Sequence, residues 1–153
     1  MDERYRIRLA KLTDAPALAD IERRCFTDPW TQAGILETIQ YATSFALVAE
    51  LGPVLAGYLM VRISGEEGEI LNLAVLPEHR RQGIARELLK QGLQTLVGAG
   101  VREAYLEVRE SNQAAITLYG AKGFRPVGIR PHYYRKPAED ALVLRAPLTS
   151  LRD

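Results

Sequence analysis

The spacing of apolar residues changes several times along the chain, and each change predicts a different element. Apolar and polar residues alternate over 5–9, which predicts a short strand. A helix begins at 13–16 with a capping residue and an early proline, and its apolar residues then recur at helical spacing up to Cys25. Asp28-Pro29-Trp30-Thr31 interrupts this pattern, and a second helix follows with its apolar face at positions 35, 36 and 39.

The middle and the end of the chain predict further strands and helices. Two strands, 45–50 and 54–63, form a hairpin across Gly52-Pro53, and a third strand covers 70–75. A helix over 83–97 carries a continuous apolar stripe, although Gly92 is locally unfavourable inside it. The remaining predicted elements are a strand at 104–108, a short helix capped at Ser111-Asn112, strands at 124–129 and 141–144, and a loop at 131–137.

The resulting order is β-α-α-β-β-β-α-β-α-β-β, which predicts an α/β (α+β) protein with a mixed sheet and helices on its faces. No linker, repeat or low-complexity run divides the chain, so we predict a single domain over 1–153.

Composition narrows the possible functions. The 153 residues carry a net charge of +1, with 47% hydrophobic and 25% charged residues, as in ordinary globular proteins. The balanced charge argues against a general nucleic-acid binder. One cysteine and two histidines, His79 and His132, exclude an internal disulfide and disfavour a zinc site. No signal peptide precedes the first strand, and the most apolar stretch, 45–63, is interrupted by charges, so we expect a soluble cytoplasmic protein.

One segment joins the end of a strand to the start of a helix, where backbone N–H groups have no partner within the helix. Gly83 and Ala85 allow a ligand to approach the backbone, and Arg80, Arg81 and Arg86 add positive charge. These features predict a phosphate or pyrophosphate site, although an ordinary helix start with solvated arginines fits equally well. The segment is neither a Walker A loop nor a G-x-G-x-x-G loop.

Three polar residues after the third helix are further candidates. Glu107 lies in an otherwise apolar strand, so it either pairs with an arginine such as Arg109 or has a chemical role. Asn112 is a good N-cap. Tyr119 shares an apolar helix face, which fits a core tyrosine as well as a site residue.

In this order, these segments resemble the GNAT superfamily of acetyl-CoA-dependent N-acyltransferases. The R-x-x-G-x-A pattern at 80–85 is similar to the pyrophosphate loop of that superfamily. Other segments are similar to the RimI-type protein N-terminal acetyltransferases, which modify the alanine terminus of a bacterial ribosomal protein. They are Asp28-Pro29-Trp30, Leu71-Asn72-Leu73-Ala74-Val75, Leu106-Glu107-Val108-Arg109, Ser111-Asn112, Leu118-Tyr119, Gly123-Phe124, Tyr133-Tyr134 and Glu139-Asp140-Ala141.

The resemblance implies the GNAT fold and transfer of acetyl from acetyl-CoA to a protein α-amino group, without a metal. Glu107 matches the general base and Tyr119 the general acid, and Trp30, Tyr133 and Tyr134 flank the acceptor peptide. The cofactor-binding positions are matched by Leu73, Ala74, Val75, Arg80, Arg81, Gln82, Gly83, Ile84, Ala85, Arg86 and Asn112.

The implied partner is the N-terminus of an acceptor protein, namely the N-terminal Ala of a small-subunit ribosomal protein, with no nucleic acid or membrane involved. Two other functions remain open. The chain could be a related enzyme that acetylates a lysine side chain or a small amine. A small-amine enzyme is expected to have a closed pocket lined with acidic groups. A non-catalytic CoA-binding regulatory module would not need both Glu107 and Tyr119.

Overall fold

The computed structural model describes residues 1–148, so the last five residues of the predicted domain lie outside the described part. Its elements follow the predicted order, with two additional single turns of 3-10 helix at Leu12–Asp14 and Pro77–His79. The strands are β1 Arg6–Leu9, β2 Ser44–Leu51, β3 Val54–Ser64, β4 Glu67–Val75, β5 Glu103–Arg109, β6 Arg125–Arg135 and β7 Ala138–Pro147. The helices are α1 Ala15–Cys25, α2 Gln32–Gln40, α3 Ile84–Gly98 and α4 Gln113–Gly120.

The strands form one seven-stranded sheet in the order β1-β2-β3-β4-β5-β7-β6. Of the described strand pairs, β4 and β5 are parallel and the others are antiparallel, which confirms the predicted mixed, mostly antiparallel sheet. The parallel pairing stops at Ile70 and Leu106, although both strands continue. Beyond this point β4 and β5 separate, and the sheet opens near its centre.

Helices cover both faces of the sheet because its central strands are apolar on both sides. Along β3, Leu59 and Val61 belong to one buried cluster, which includes the apolar stripe of α3. Tyr58 and Met60 belong to a second buried cluster, which includes residues of α1 and α2. Successive residues of a strand point to opposite faces, so α3 packs on one face and α1 with α2 on the other.

Gly92 has a packing role that its position in a helix pattern did not reveal. A Cβ atom built at Gly92 would lie 2.3 Å from Cδ2 of Leu59 on β3. Helix α3 therefore approaches the sheet more closely than a side chain at this position would allow. This contact accounts for a glycine where helix propensity disfavours one.

The prediction of a loop at 131–137 is wrong. Strand β6 continues to Arg135, and β7 begins at Ala138, so a tight turn joins them and Tyr134 pairs with Glu139. The register shifts between Arg130 and Tyr134, where His132 has a φ of 54°. The prolines at 131 and 137 suggested a loop, but an edge strand and its turn tolerate proline. For the same reason the strand predicted at 141–144 was too short.

Two further results bear on function. None of the helices within residues 1–148 is long and apolar enough to cross a membrane. The described residues also contain no group of three or more His, Cys, Asp or Glu side chains arranged to hold a metal ion.

Candidate active site

A cleft of about 750 Å³ opens where β4 and β5 separate. Its walls include the Leu71–Leu73 part of β4, the end of β5, the start of α4, the β6–β7 hairpin and the segment between α1 and α2. The predicted site residues that it brings together are Trp30, Leu73, Glu107, Asn112, Tyr119, Tyr133 and Tyr134. Both predicted catalytic residues and all three predicted acceptor-binding residues therefore face one space.

Glu107 lies on β5, beyond the last residue that pairs with β4, so its carboxylate faces the opening. Burial raises the pKa of Glu107, and the nearby charge of Glu69 adds to this effect. Arg130 opposes it, because its Nε lies 3.4 Å from Oε1 of Glu107. The sequence left open whether Glu107 is an ion-pair partner or a reactive group. The structure shows an ion pair, with Arg130 rather than Arg109, and also a cleft position with a raised pKa.

A smaller cavity of about 200 Å³ adjoins the cleft and is also lined by Glu107. Arg62, Glu69 and Arg130 line it, and Nη2 of Arg62 lies 2.7 Å from Oε1 of Glu69. Arg62 and Glu69 line the cleft as well. The surrounding charges alternate, so the general-base candidate sits among both acidic and basic groups.

Tyr119 is both a core residue and a cleft residue. Helix α4 places it against Phe124, with ring centroids 5.6 Å apart in an edge-to-face arrangement. The side chain is 7% exposed and lines the cleft. Burial, with a smaller contribution from Tyr134, raises the pKa of Tyr119, so its hydroxyl remains protonated at neutral pH.

The hairpin of β6 and β7 presents two tyrosines to the cleft. The rings of Tyr133 and Tyr134 are 5.0 Å apart and nearly perpendicular. The guanidinium of Arg109 lies 4.3 Å from the centre of the Tyr134 ring and donates to the carbonyls of Lys136 and Pro137. Arg109 thus fixes the turn, whereas the sequence suggested that it could pair with Glu107.

The segment between α1 and α2 forms the opposite wall. Trp30 packs against the cluster beneath α1, and its backbone N–H donates to Oε1 of Glu22 at 3.0 Å. The hydroxyl of Thr27 donates to the carbonyl of Lys136, so this segment also contacts the β6–β7 turn. The two segments predicted to flank the acceptor therefore meet at the edge of the cleft.

Sequence reasoning missed two residues of this site. Glu22 and Asn72 line the cleft and are hydrogen-bonded to each other. Asn72 stands in a segment that carried the family resemblance, but no role was assigned to it. Glu22 falls on the apolar face of α1, four residues after Leu18 and three before Cys25, and a carboxylate at such a position was a readable signal.

The loop before α3 lies outside the cleft lining and follows the end of β4. Arg81 and Gly83 both have positive φ, 63° and 81°, which turns the backbone sharply before the helix begins. Such a turn directs successive N–H groups toward one side and forms a concave site for anions. Arg81, Gln82 and Arg86 are exposed, as expected for groups that meet a ligand, whereas Ile84 is buried in the core.

Arg80 departs from the expected arrangement. Its Nε donates to the carbonyl of Val75 at 2.9 Å, and Nη2 lies 3.7 Å from Sγ of Cys25. The guanidinium therefore points back to the end of β4 and not into the loop. Cys25 packs on the apolar cluster as expected, and burial raises the pKa of its thiol.

The remaining predicted cofactor residues act through different groups. Ala74 and Val75 have buried side chains, so only their backbone atoms can meet a ligand. Asn112 caps α4, since its Oδ1 accepts from the N–H of Ala115 at 3.1 Å, and the residue also lines the cleft. His79, which precedes this loop, has a side-chain partner, because its Nδ1 lies 2.7 Å from the Tyr5 hydroxyl.

Comparisons with known proteins identify the family to which the chain belongs. Residues 15–124 match the family described as "Acetyltransferase (GNAT) family". The ribosomal protein bS18-alanine N-acetyltransferase of Escherichia coli K12 is 33% identical over 139 residues, covering 90% of this chain and 93% of the relative. An N-alpha-acetyltransferase of Sulfurisphaera tokodaii is 34% identical over 157 residues, covering 94% and 93%.

Solved structures give the same result. The crystal structure of the ribosomal-protein-S18-alanine N-acetyltransferase from E. coli superimposes with a TM-score of 0.88 at 32% identity, over 94% of each chain. The PaiA N-acetyltransferase of Thermoplasma acidophilum, solved with coenzyme A, is 17% identical with a TM-score of 0.80 and shares the fold. The chain therefore belongs to the GNAT acetyltransferase family and is an acetyl-CoA-dependent N-acetyltransferase.

Proposed function

We propose that this enzyme acetylates the N-terminal α-amino group of a protein, and that its acceptor is the N-terminal Ala of a small-subunit ribosomal protein. The observation that carries the proposal is the placement of Glu107 and Tyr119 in one cleft, between the two segments that flank the acceptor in the RimI-type resemblance. The names of the relatives, which specify an alanine N-terminus of protein bS18 or an α-amino group, support the same acceptor class.

Acetyl-CoA supplies a thioester whose acetyl carbonyl the acceptor amine attacks directly. Glu107 takes the proton that the amine nitrogen must lose, either directly or through one water. Its raised pKa, which burial causes, suits this task, because a base works best when its pKa lies near the operating pH. No covalent enzyme intermediate forms.

The negative charge that develops on the acetyl oxygen needs hydrogen-bond donors, and the backbone N–H groups around Ala74 and Val75 are the proposed donors. The departing thiolate needs a proton, which the hydroxyl of Tyr119 provides. A tyrosine hydroxyl is protonated at neutral pH, and the burial that raises its pKa does not change this, so a proton is available. The bond between nitrogen and the acetyl carbon forms as the carbon–sulfur bond breaks, and Glu107 and Tyr119 exchange protons with solvent afterwards.

The cofactor arm would run along the open side of β4, at Leu73, Ala74 and Val75, toward the loop at 81–86. The turned backbone of that loop and the first N–H groups of α3 would receive the pyrophosphate. Arg81 and Arg86 would add charge there, and Nδ2 of Asn112 would contact the arm from α4. Arg80 would stabilise the end of β4 rather than contact the phosphate itself.

An α-amine suits a site with a single carboxylate base. A free α-amino group has a pKa of ~7.7–8.0, whereas lysine has ~10.4. Near pH 7 about a tenth of α-amines are already neutral, but fewer than about one lysine amine in a thousand. The difference corresponds to roughly 3.4 kcal/mol of deprotonation, which a lysine-specific site would have to supply with further groups.

A panel of peptides with acetyl-CoA tests the acceptor. Peptides that differ in their first two residues are compared with a lysine-containing peptide whose N-terminus is blocked. We expect strong turnover of the peptides that begin with Ala and very little of the blocked peptide. Equal turnover of the blocked peptide would instead indicate a lysine acetyltransferase, and binding of acetyl-CoA without turnover of any amine would indicate a regulatory module.

A substitution at Glu107 tests the chemistry. Glu107→Gln removes the base and leaves the size of the side chain, so kcat should fall by about 10²–10⁴. Glu110→Gln is the matched control, because Glu110 is an exposed carboxylate directly after the end of β5 and lines neither cavity. Unchanged peptide acetylation in Glu107→Gln would show that the base is another group.

A further inference from the structure

Glu22 is a carboxylate buried without a cation. Its side chain is on α1 and is only 1% exposed, and no arginine or lysine of residues 1–148 forms an ion pair with it. Three neutral donors surround it instead. The Tyr58 hydroxyl donates to Oε2 at 2.5 Å, and Asn72 Nδ2 donates to Oε2 at 2.6 Å. The backbone N–H of Trp30 donates to Oε1 at 3.0 Å. Burial of this kind is unfavourable unless the hydrogen bonds satisfy the charge.

The donors come from parts of the molecule that have to be held together. Trp30 belongs to the segment between α1 and α2, which forms one wall of the cleft. Asn72 belongs to β4, two residues past the point where pairing with β5 stops. The β4 backbone is irregular there, because Met60 of β3 pairs with Asn72 while Val61 pairs with Ile70. One residue of β4, Leu71, is therefore left without a partner on β3.

Asn72 also determines the backbone that follows it. Its Oδ1 accepts from the N–H of Leu73 at 3.2 Å, and its Nδ2 points to Glu22. The amide of Asn72 can make both contacts only in one orientation, and Glu22 selects that orientation by being an acceptor. A single carboxylate thus links the acceptor-side wall to the open part of β4.

We propose that Glu22 is a positioning residue, which sets the distance between the Trp30 segment and the open part of β4 and thereby aligns the acceptor. The carboxylate does not touch the reacting atoms in this role. It acts through the Trp30 N–H on one side and through Asn72 on the other. The inference rests on the proposed function only in assuming that the acceptor enters the cleft between these two walls.

The test uses Glu22→Gln in the full chain. Glutamine presents an NH₂ group where the carboxylate presented an oxygen. At Oε1 this group faces the Trp30 backbone N–H, and at Oε2 it faces Tyr58 and Asn72, so at least one donor loses its acceptor. A lost hydrogen bond to a charged group changes an equilibrium by about tenfold or more. We expect the KM for the acceptor peptide to rise about tenfold. The KM for acetyl-CoA should rise less, because Glu22 reaches the cofactor path only indirectly, through Asn72 and the Leu73 N–H, and the loop at 81–86 does not contact it.

Two matched measurements separate positioning from general stability. Tyr58→Phe removes one donor to the same carboxylate and the longer 3.3 Å contact of Asn72 Nδ2 with the Tyr58 hydroxyl. It leaves the hydrogen bonds of Glu22 with the Trp30 backbone N–H and with Asn72, so its acceptor KM should stay close to that of the wild type. Trp30 is the only tryptophan in the sequence, so its fluorescence emission reports the segment without any assay of activity. The emission should shift in Glu22→Gln and not in Tyr58→Phe.

The wild type provides a measurement that does not depend on folding of a variant. The Trp30 amide lies outside helices and strands, yet it should exchange slowly with deuterium, because Glu22 accepts its proton. Rapid exchange of this amide would overturn the proposal. An unchanged acceptor KM and emission in Glu22→Gln, or equal changes in both variants, would overturn it as well. A result of this kind would leave the chemistry at Glu107 intact, so the two failures are distinguishable.

Discussion

Removal of the Arg130 side chain should shift the pH dependence of the reaction, because Arg130 is the cation that touches the proposed base. Its Nε lies 3.4 Å from Oε1 of Glu107, and the side chains are 60% and 15% exposed. Arg130 lowers the pKa of Glu107, against the raising effects of burial and of Glu69. In Arg130→Gln this stabilisation of the ionised base is lost, so the pKa should rise further.

The size of the shift follows from the geometry. Two unit charges 3.4 Å apart interact by about 1.2 kcal/mol in a water-like dielectric. Exposed ion pairs deliver only ~0.2–1 kcal/mol once salt and side-chain entropy are included, and Arg130 is mostly exposed. At 1.36 kcal/mol per pKa unit, we expect an upward shift of roughly 0.2–0.7 units.

The assay is the pH profile of kcat at saturating acetyl-CoA and peptide. The base must be ionised to accept a proton, so the rate falls as the pH drops through the pKa of Glu107. A higher pKa therefore moves this acid limb of the profile to higher pH. At pH values below the pKa of Glu107, the rate of the variant should be about two- to fivefold lower than that of the wild type. The same peptide is used throughout, so the titration of its own amine cancels in the comparison.

Two control variants define the outcome. Arg130→Lys keeps the positive charge and should restore most of the wild-type profile. Arg23→Gln removes an equally exposed arginine that pairs with Asp20, at a side-chain exposure of 59%, and should leave the acid limb unchanged. The reasoning is refuted if the limb in Arg130→Gln stays in place or moves to lower pH.

Other substitutions test the acid, the cofactor loop and the core. Tyr119→Phe should lower kcat more than it raises the KM for acetyl-CoA, and the reverse result would make the residue a packing group. Gly83→Ala should weaken CoA binding measured by calorimetry, because a Cβ is strained at a φ of 81°; unaltered affinity would contradict this. Gly92→Ala should lower the melting temperature, since overpacking against Leu59 costs ~1–3 kcal/mol and exceeds the ~1 kcal/mol gained in helix propensity. Gly98→Ala on the same helix meets no atom within 4 Å and should not lower it.

Local signals in the sequence were sufficient for the order of the elements. The segment that ends at Thr31 predicts the start of the second helix, and the Thr31 hydroxyl accepts from the N–H of Gly34 at 3.0 Å. The dipeptide Gly52-Pro53 predicted a hairpin turn, and Gly52 has a φ of 57° in that turn. Capping and turn chemistry act over a few residues, so a single sequence contains the information needed to locate them.

The predictions that failed depend on contacts distant in sequence. Nothing near His132 indicates that Asp140, on the next strand, accepts its backbone N–H at 2.8 Å and keeps the hairpin paired. The partner of Glu107 could not be chosen between Arg109 and another arginine, because Arg130 lies on β6 and reaches Glu107 across the intervening strand β7. Residues that meet across the sheet, such as Glu22 and Asn72, follow from topology and not from spacing.

The separation of β4 and β5 also has a consequence for stability. Backbone groups on the open edge of β4 beyond Ile70 have no strand beside them on the β5 side. A ligand that occupies this gap replaces the missing strand, so its binding energy adds to the free energy of unfolding by RT ln(1 + [L]/Kd). At one hundred times Kd this amounts to about 2.7 kcal/mol, which for a chain of this size corresponds to a rise of roughly 5–10 °C in the melting temperature. Acetyl-CoA would thus serve the protein as part of its structure as well as its substrate.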